Sequence, residues 1–161
     1  MQAGSAEIWS WLAEVPDPEV PVVSVVDLGM VRDVAVTGKV AEIAVAPTYS
    51  GCPATEVIEQ NIASHLRDKG LHEVRIRRVL SPAWTTDWIT DEGRRKLLAY
   101  GIAPPQDSAG KPRLRGSTMA IACPRCASRN TTLISEFGST ACKASYKCRD
   151  CLEPFEYFKC L

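Results

Sequence analysis

Apolar residues follow two rhythms along this chain, and the changes of rhythm mark its elements. Ile8, Leu12 and Val15 recur at helical spacing and Trp9 widens their stripe, which predicts a first helix. Ser5 is expected to cap it and Glu7 to favour its dipole, while Pro16 and Pro18 end it. Trp11 falls off the stripe. The rigid Asp17-Pro-Glu-Val-Pro21 turn leads into the apolar Val22–Val31 segment, where Gly29 suggests a bend or a close backbone approach. The rhythm then shortens to two: Val34/Val36 and Ile43/Val45 alternate within a predicted hairpin of Val31–Val36 and Val40–Ala46, turned at Thr37-Gly38. Ile58, Ile62 and Leu66 restore the helical spacing after Pro53. Glu73–Leu80 reads as a third strand, with Val74 and Ile76 on one side and Arg75 and Arg77 on the other. A last helix is expected over Glu92–Tyr100, with Gly101 as its C-cap. The fold class expected is α/β, with helices packed on a small mixed sheet.

Beyond this point the rhythm stops. Ile102–Thr118 contains Pro104, Pro105, Gly110, Pro112 and Gly116 and reads as a connecting stretch. The expected division is a first domain over 1–103, a linker over 104–118 and a second domain over 119–161. In the tail only Thr131–Ile134, Lys143–Tyr146 and Phe155–Phe158 have strand character. They are too short to build a conventional core, so a domain of this size needs a staple.

The staple is legible in Cys123-Pro-Arg-Cys126 and Cys148-Arg-Asp-Cys151, two Cys-x-x-Cys knuckles with twenty-one residues between the inner cysteines. Such knuckles bring four thiolates to one tetrahedral zinc ion, and the tail is expected to be a three-stranded zinc ribbon with structural zinc on Cys123, Cys126, Cys148 and Cys151. Cys142 and Cys160 lie outside this set, as buried thiols or as an alternative metal set.

Composition narrows the class. The chain has 161 residues, 45% hydrophobic and 24% charged, as expected of a globular protein. The formal net charge is zero, but residues 1–105 hold 10 Lys/Arg against 14 Asp/Glu, and residues 106–161 hold 9 against 5. The N-terminal stretch has neither a basic n-region nor a long apolar h-region, and no apolar run approaches the roughly 20 residues of a membrane span. A reducing cytoplasm is the expected setting, where seven cysteines bind metal or react rather than cross-link.

One further cysteine stands in a chemical context. In Thr48-Tyr-Ser-Gly-Cys52-Pro53, the proline suits the first position of the following helix and puts Cys52 at the N-cap. The unpaired N–H groups there favour a thiolate, suited to binding metal or acting as a nucleophile. The other reading is a small buried hydrophobe. His65 lies thirteen residues away, about 20 Å along a helix, so one metal cannot touch both, and it reads as a structural histidine. His72 has no evident partner.

Asp17-Pro-Glu, Val26-Asp-Leu-Gly-Met-Val31, Pro47–Pro53 and the Pro82-Ala-Trp84 turn together resemble the iron–sulfur cluster assembly domain family typified by SufT, over roughly residues 5–100. With Leu133-Ile-Ser-Glu-Phe-Gly-Ser-Thr-Ala-Cys142-Lys143 and Glu153-Pro-Phe-Glu-Tyr-Phe-Lys-Cys160 added, body and tail resemble the PaaD family, also called PaaJ. That resemblance implies an accessory or maturation role beside the phenylacetyl-CoA epoxidase, a di-iron oxygenase of aerobic phenylacetate degradation fed by an iron–sulfur flavin reductase. It implies epoxidase components as protein partners and a transient iron or iron–sulfur cluster at the position of Cys52. Asp17, Asp27 and Thr48 match other family positions. Pro47-Thr48-Tyr49 departs from the extended Leu-Thr run common in relatives.

The residues also exclude some chemistry. There is no pair of Glu-x-x-His motifs for a di-iron bundle, no glycine-rich phosphate loop and no nicotinamide or flavin fingerprint. The chain alone is therefore not expected to be catalytic. A maturation factor acting through Cys52 ranks first. A nucleic-acid-binding ribbon ranks below it, because residues 120–161 carry only 6 basic residues against 4 acidic ones. A thiol enzyme ranks last, for want of a general base beside Cys52. One thiolate cannot complete a metal site, so Asp17, Asp27, a second Cys52 across a homodimer or a client residue would supply the rest.

Overall fold

The computed structural model describes residues 3–49, 51–106 and 120–159. The chain divides into two compact units, Met1–Trp84 with Trp88–Gly93, and Thr85–Asp87 with Arg94–Leu161.

The first unit starts with helix α1 (Ser5–Leu12), which buries Ile8 and Leu12. Its N-cap is Gly4 rather than Ser5, whose hydroxyl donates to the Val34 carbonyl at 3.2 Å instead. Strands β1 (Val31–Thr37) and β2 (Val40–Val45) pair antiparallel, with a register shift between Val31 and Asp33. Val34 is buried but Val36 is exposed, so the alternation written into β1 is only half used. Helix α2 (Thr55–Asp68) carries the chain to β3 (Glu73–Arg78), which pairs parallel with β2. The sheet order β1-β2-β3 makes β2 central, which is why Ile43, Ala44 and Val45 are all buried in it. Ile58, Ile62 and Leu66 of α2 are buried, as their spacing requires. Glu14 reaches from beyond α1 to α2, with Oε2 at 2.7 Å from Lys69 Nζ and 3.2 Å from His65 Nε2. His65 thus faces Glu14 and joins no group of three or more closely spaced metal-ligand atoms among the described residues.

The Asp27–Met30 stretch is held by a segment distant in sequence. Trp84 donates its indole N–H to the Leu28 carbonyl at 2.8 Å, and Thr90 N–H donates to the Asp27 carbonyl at 2.9 Å. Arg32 lies 3.6 Å over the centre of the Trp88 ring. Gly29 has φ +67°, and a Cβ there would overlap the Trp88 carbonyl. Left-handed strain and overpacking add, so Gly29→Ala is expected to destabilise this unit by roughly 2–5 kcal/mol. Denaturant unfolding followed by tryptophan fluorescence would measure it. An unchanged midpoint would show that the close approach is not required.

Helix α3 (Asp91–Tyr100) ends at Gly101, whose φ of 93° and N–H bond to the Leu98 carbonyl at 3.1 Å close the last turn. The second unit then forms a sheet in the order β4-β7-β6-β5, from β4 (Ile102–Ala103), β5 (Thr131–Ser135), β6 (Lys143–Cys148) and β7 (Pro154–Phe158). The three expected ribbon strands are present and antiparallel. The difference is β4, which pairs parallel with β7 through Ile102 and Ala103 and makes the sheet four-stranded. These two residues, which the sequence placed at the end of the first domain, lie with the ribbon. Arg94 secures the same stretch by donating to the carbonyls of Pro105 at 2.6 Å and Thr86 at 2.8 Å. The expected linker lies outside the described residues from 107 onward.

The ribbon core is small: Ala103, Ile121, Cys123, Ala144, Cys148, Phe155 and Tyr157, with Tyr146 and Cys151 packed against it. Tyr146 stacks on Phe155 with ring centres 5.9 Å apart and meets Tyr157 edge-on at 5.8 Å. Lys143 is also buried, at 4% exposure, with Nζ 3.8 Å from Glu156 Oε2. The same carboxylate accepts from the N–H and hydroxyl of Ser139, tying the Gly138–Ser139 loop to β7. Among the described residues no helix is long and apolar enough to cross a membrane.

Candidate metal centre and cysteine loop

Each knuckle is shaped by the same local geometry. The N–H of Cys123 donates to the Ser128 carbonyl at 2.9 Å, and the N–H of Cys148 donates to the Glu153 carbonyl at 2.9 Å, five residues ahead in both cases. The residue before each acceptor, Ala127 or Leu152, has a positive φ of 61° or 63°. The chain turns back sharply at these two positions, which is how a Cys-x-x-Cys pair comes to aim both sulfurs the same way.

The four sulfurs of Cys123, Cys126, Cys148 and Cys151 all lie within 4.8 Å of one another. Cys123 and Cys151 are 3.7 Å apart, and Cys126 and Cys148 are 3.6 Å apart. A Zn–S bond of 2.3 Å puts the sulfurs of a tetrahedron about 3.8 Å apart, so the donor set and its spacing both fit zinc. The backbone adds N–H donors to the sulfurs. Cys148 receives the N–H groups of Cys151 and Asp150, which pull its thiol down to about 7 against the opposing effect of burial. Cys126 receives the Ser128 N–H, but local loss of hydration at its sulfur and crowding by the thiols of Cys148, Cys151 and Cys123 push it up to about 12. Four close sulfurs thus resist ionising together, and a dication among them reverses that resistance by binding the thiolates and releasing their protons.

Residues that are not ligands join the two knuckles. Asp150 accepts from the Ser128 hydroxyl and, at 2.7 Å, from the Asn130 amide. Arg125 meets Glu153 at 2.7 Å. Spacing arguments missed these partners, because no local pattern marks which polar side chain of one knuckle meets which of the other. Cys142 is buried, with Sγ 3.0 Å from the Thr140 hydroxyl, and is not among the four converging sulfurs; Cys160 lies outside the described residues.

Cys52 lies in the loop between β2 and α2, mostly buried at 8% exposure. It is not the N-cap that the sequence suggested. Its N–H donates to the Tyr49 carbonyl at 3.3 Å and its carbonyl accepts from Thr55 N–H at 3.2 Å, so Pro53 and Ala54 form a turn and α2 begins only at Thr55, with Ala54 as N-cap. Gly51, with φ +78°, permits the preceding turn. The loop follows the carboxyl end of β2, beside the parallel strand β3, the end of a βαβ unit where ligands usually bind.

Asp17 and Asp27 are both buried in turns. Asp17 Oδ1 accepts from the N–H groups of Glu19 at 2.9 Å and Val20 at 2.7 Å. Asp27 Oδ2 accepts from Ser24 N–H at 2.9 Å, and Ser24 Oγ accepts from Asp27 N–H at 3.0 Å. Thr48 is buried in the Cys52 loop. Among the described residues the four-cysteine centre is the one group of three or more closely spaced Cys, His, Asp or Glu ligand atoms, so Cys52 does not gather Asp17 and Asp27 into a second such group.

Comparison with known proteins matches both halves of the chain. Residues 5–78 match the family model described as iron–sulfur cluster assembly protein, and residues 107–159 match that of the PaaD zinc beta ribbon domain. A protein of Escherichia coli strain K12, named as a component of the 1,2-phenylacetyl-CoA epoxidase, is 51% identical over 155 residues, covering 96% of this chain and 92% of that one. Among solved structures, a domain of unknown function from Bacillus anthracis is 26% identical with a TM-score of 0.54, covering 58% of this chain and 90% of that chain. A conserved hypothetical protein from Thermotoga maritima shares the fold, at 22% identity and a TM-score of 0.51, covering 60% of this chain and 95% of that chain.

Proposed function

This chain belongs to the PaaD family of phenylacetyl-CoA epoxidase components, and from that membership we propose that it is an accessory maturation factor of such an epoxidase in aerobic phenylacetate degradation, acting in the cytoplasm and not catalytic by itself. The observation that carries the reading is the pairing, in one chain, of an iron–sulfur assembly domain with a closed four-cysteine ribbon. In this reading the two cysteine sites differ in kind. The ribbon site has four protein ligands and no open position, so it retains zinc. Cys52 offers a single sulfur ligand from a loop, so it takes iron or an iron–sulfur cluster as cargo and releases it. Its remaining ligands come from the client, from a second copy of the chain, or from Thr48, Asp17 and Asp27, the two aspartates after they leave their present partners. The division of labour follows the two units, the first for handover and the second, which contains the ribbon, for client docking.

The test is affinity purification of the full chain from cells growing on phenylacetate, with metal analysis of the eluate. Epoxidase components are expected to co-purify in near-stoichiometric amounts. Mixed DNA or RNA is expected to bind no better than the roughly 1–100 μM typical of non-specific contacts at physiological salt. Submicromolar nucleic-acid binding that is lost on neutralising Lys147 and Arg149, with no epoxidase component recovered, would replace this reading by the nucleic-acid one. Lys143 is unsuitable for that control, because it is buried beside Glu156.

A further inference from the structure

The exposed edge of the zinc site carries a feature that none of the four ligands explains. Cys126 is exposed whereas Cys148 is fully buried, and their sulfurs are 3.6 Å apart. A competing chelator or thiol therefore meets the site first at Cys126. Ser128 follows the first knuckle two residues after Cys126, and Asp150 lies between Cys148 and Cys151 in the second. The side chains of these same two residues are bonded to each other, Ser128 hydroxyl to Asp150 carboxylate. Asn130 occupies the other carboxylate oxygen at 2.7 Å, and its carbonyl receives the N–H of Arg149 at 2.8 Å. Opening the Cys126–Cys148 edge would break these bonds together.

We propose that Asp150, which does not bind the metal, latches the two knuckles through Ser128 and Asn130 and sets the rate at which the zinc leaves. Without the latch, the Cys126 knuckle swings away on its own turn, and an incoming ligand takes the vacated position. The Arg125–Glu153 pair also crosses between the knuckles, but its side chains are 67% and 39% exposed, and exposed ion pairs hold little. It serves as the control.

The experiment uses the zinc-loaded full chain mixed with an excess of a chromogenic chelator, with zinc transfer followed by absorbance. Asp150→Asn is expected to accelerate release about tenfold or more, the usual scale for losing a group that supports metal ligands. The double variant Ser128→Ala/Asn130→Ala removes the same bonds from the other side and is expected to match it. Combining all three changes should release zinc no faster than either alone, and Arg125→Gln should stay within about twofold of the parent. Cobalt in Asp150→Asn should keep the absorption of a four-thiolate tetrahedron, because every ligand remains. Release by Asp150→Asn within about twofold of the parent overturns the latch, as do accelerations that multiply in the triple variant or a cobalt spectrum that has lost a thiolate. If Asp150→Asn holds less than a full equivalent of zinc, Asn130→Ala alone decides: faster release supports the latch and an unchanged rate overturns it.

Discussion

Replacing Cys148 by Ser is expected to unfold the ribbon while the first unit stays folded. The reason is that core and metal site are the same object here. Cys123 and Cys148 belong to the buried cluster with Ala103, Ile121, Ala144, Phe155 and Tyr157, so their sulfurs fill apolar space and bind the ion at once. Structural zinc in small domains contributes roughly 10–16 kcal/mol of binding energy, which appears as folding energy. A serine hydroxyl is a poor zinc ligand, and a three-thiolate site would lose most of that term while burying a polar group. The first unit has its own core, including Ile8, Leu12, Ile43, Ile58, Ile62 and Leu66. Limited proteolysis with metal analysis is the check. Residues 120–159 of the variant should become cleavable and zinc should fall well below one equivalent, with residues 3–84 still protected. A variant that keeps a full equivalent of zinc, and a ribbon that resists protease in strong chelator, would remove the metal from its structural role.

Changing Cys52 to Ser is expected to leave fold and zinc content intact and to abolish support of phenylacetyl-CoA epoxidation in cells lacking the native protein. The substitution is nearly isosteric. The loop around Cys52 is held by backbone bonds, to Tyr49 and from Thr55, which the change leaves in place. Burying a hydroxyl in place of a thiol costs at most about 1–3 kcal/mol. What is lost is a soft sulfur ligand, which a hydroxyl does not replace for iron. Full complementation by Cys52→Ser at normal expression would reduce Cys52 to a packing residue and leave client docking as the function. Cys148→Ser and Cys52→Ser thus separate retention from handover, since the first should lose zinc and the second should keep it.

The elements and the four converging cysteines were legible in the sequence because their causes are local. A spacing of three or four residues sets which side of α2 is buried, and a two-residue gap suffices to bring a Cys-x-x-Cys pair onto one ion. The family likeness also lay in contiguous stretches, two of which, around Gly29 and Trp84, lie in the part of the first unit where backbone is crowded against backbone. Other features depended on contacts that periodicity does not encode. Hydrophobic rhythm predicts that a residue is buried but not against what. Gly29 is pinned by Trp88, and Asp150 finds Asn130 across 20 residues. Ile102 and Ala103 looked like the end of a domain until β7 offered them an edge to pair with. Nothing in the local pattern marks Lys143 as buried beside Glu156. At Cys52 a local rule was overridden: Pro53 suits the first turn of a helix, but a separate turn through Pro53 and Ala54 forms first and delays the helix to Thr55. The sequence alone therefore determined the periodic elements and picked out the four cysteines whose sulfurs converge. Only the tertiary structure decided which polar groups brace that site and how Cys52 is presented, because these depend on side chains and backbone that meet only after the chain has folded.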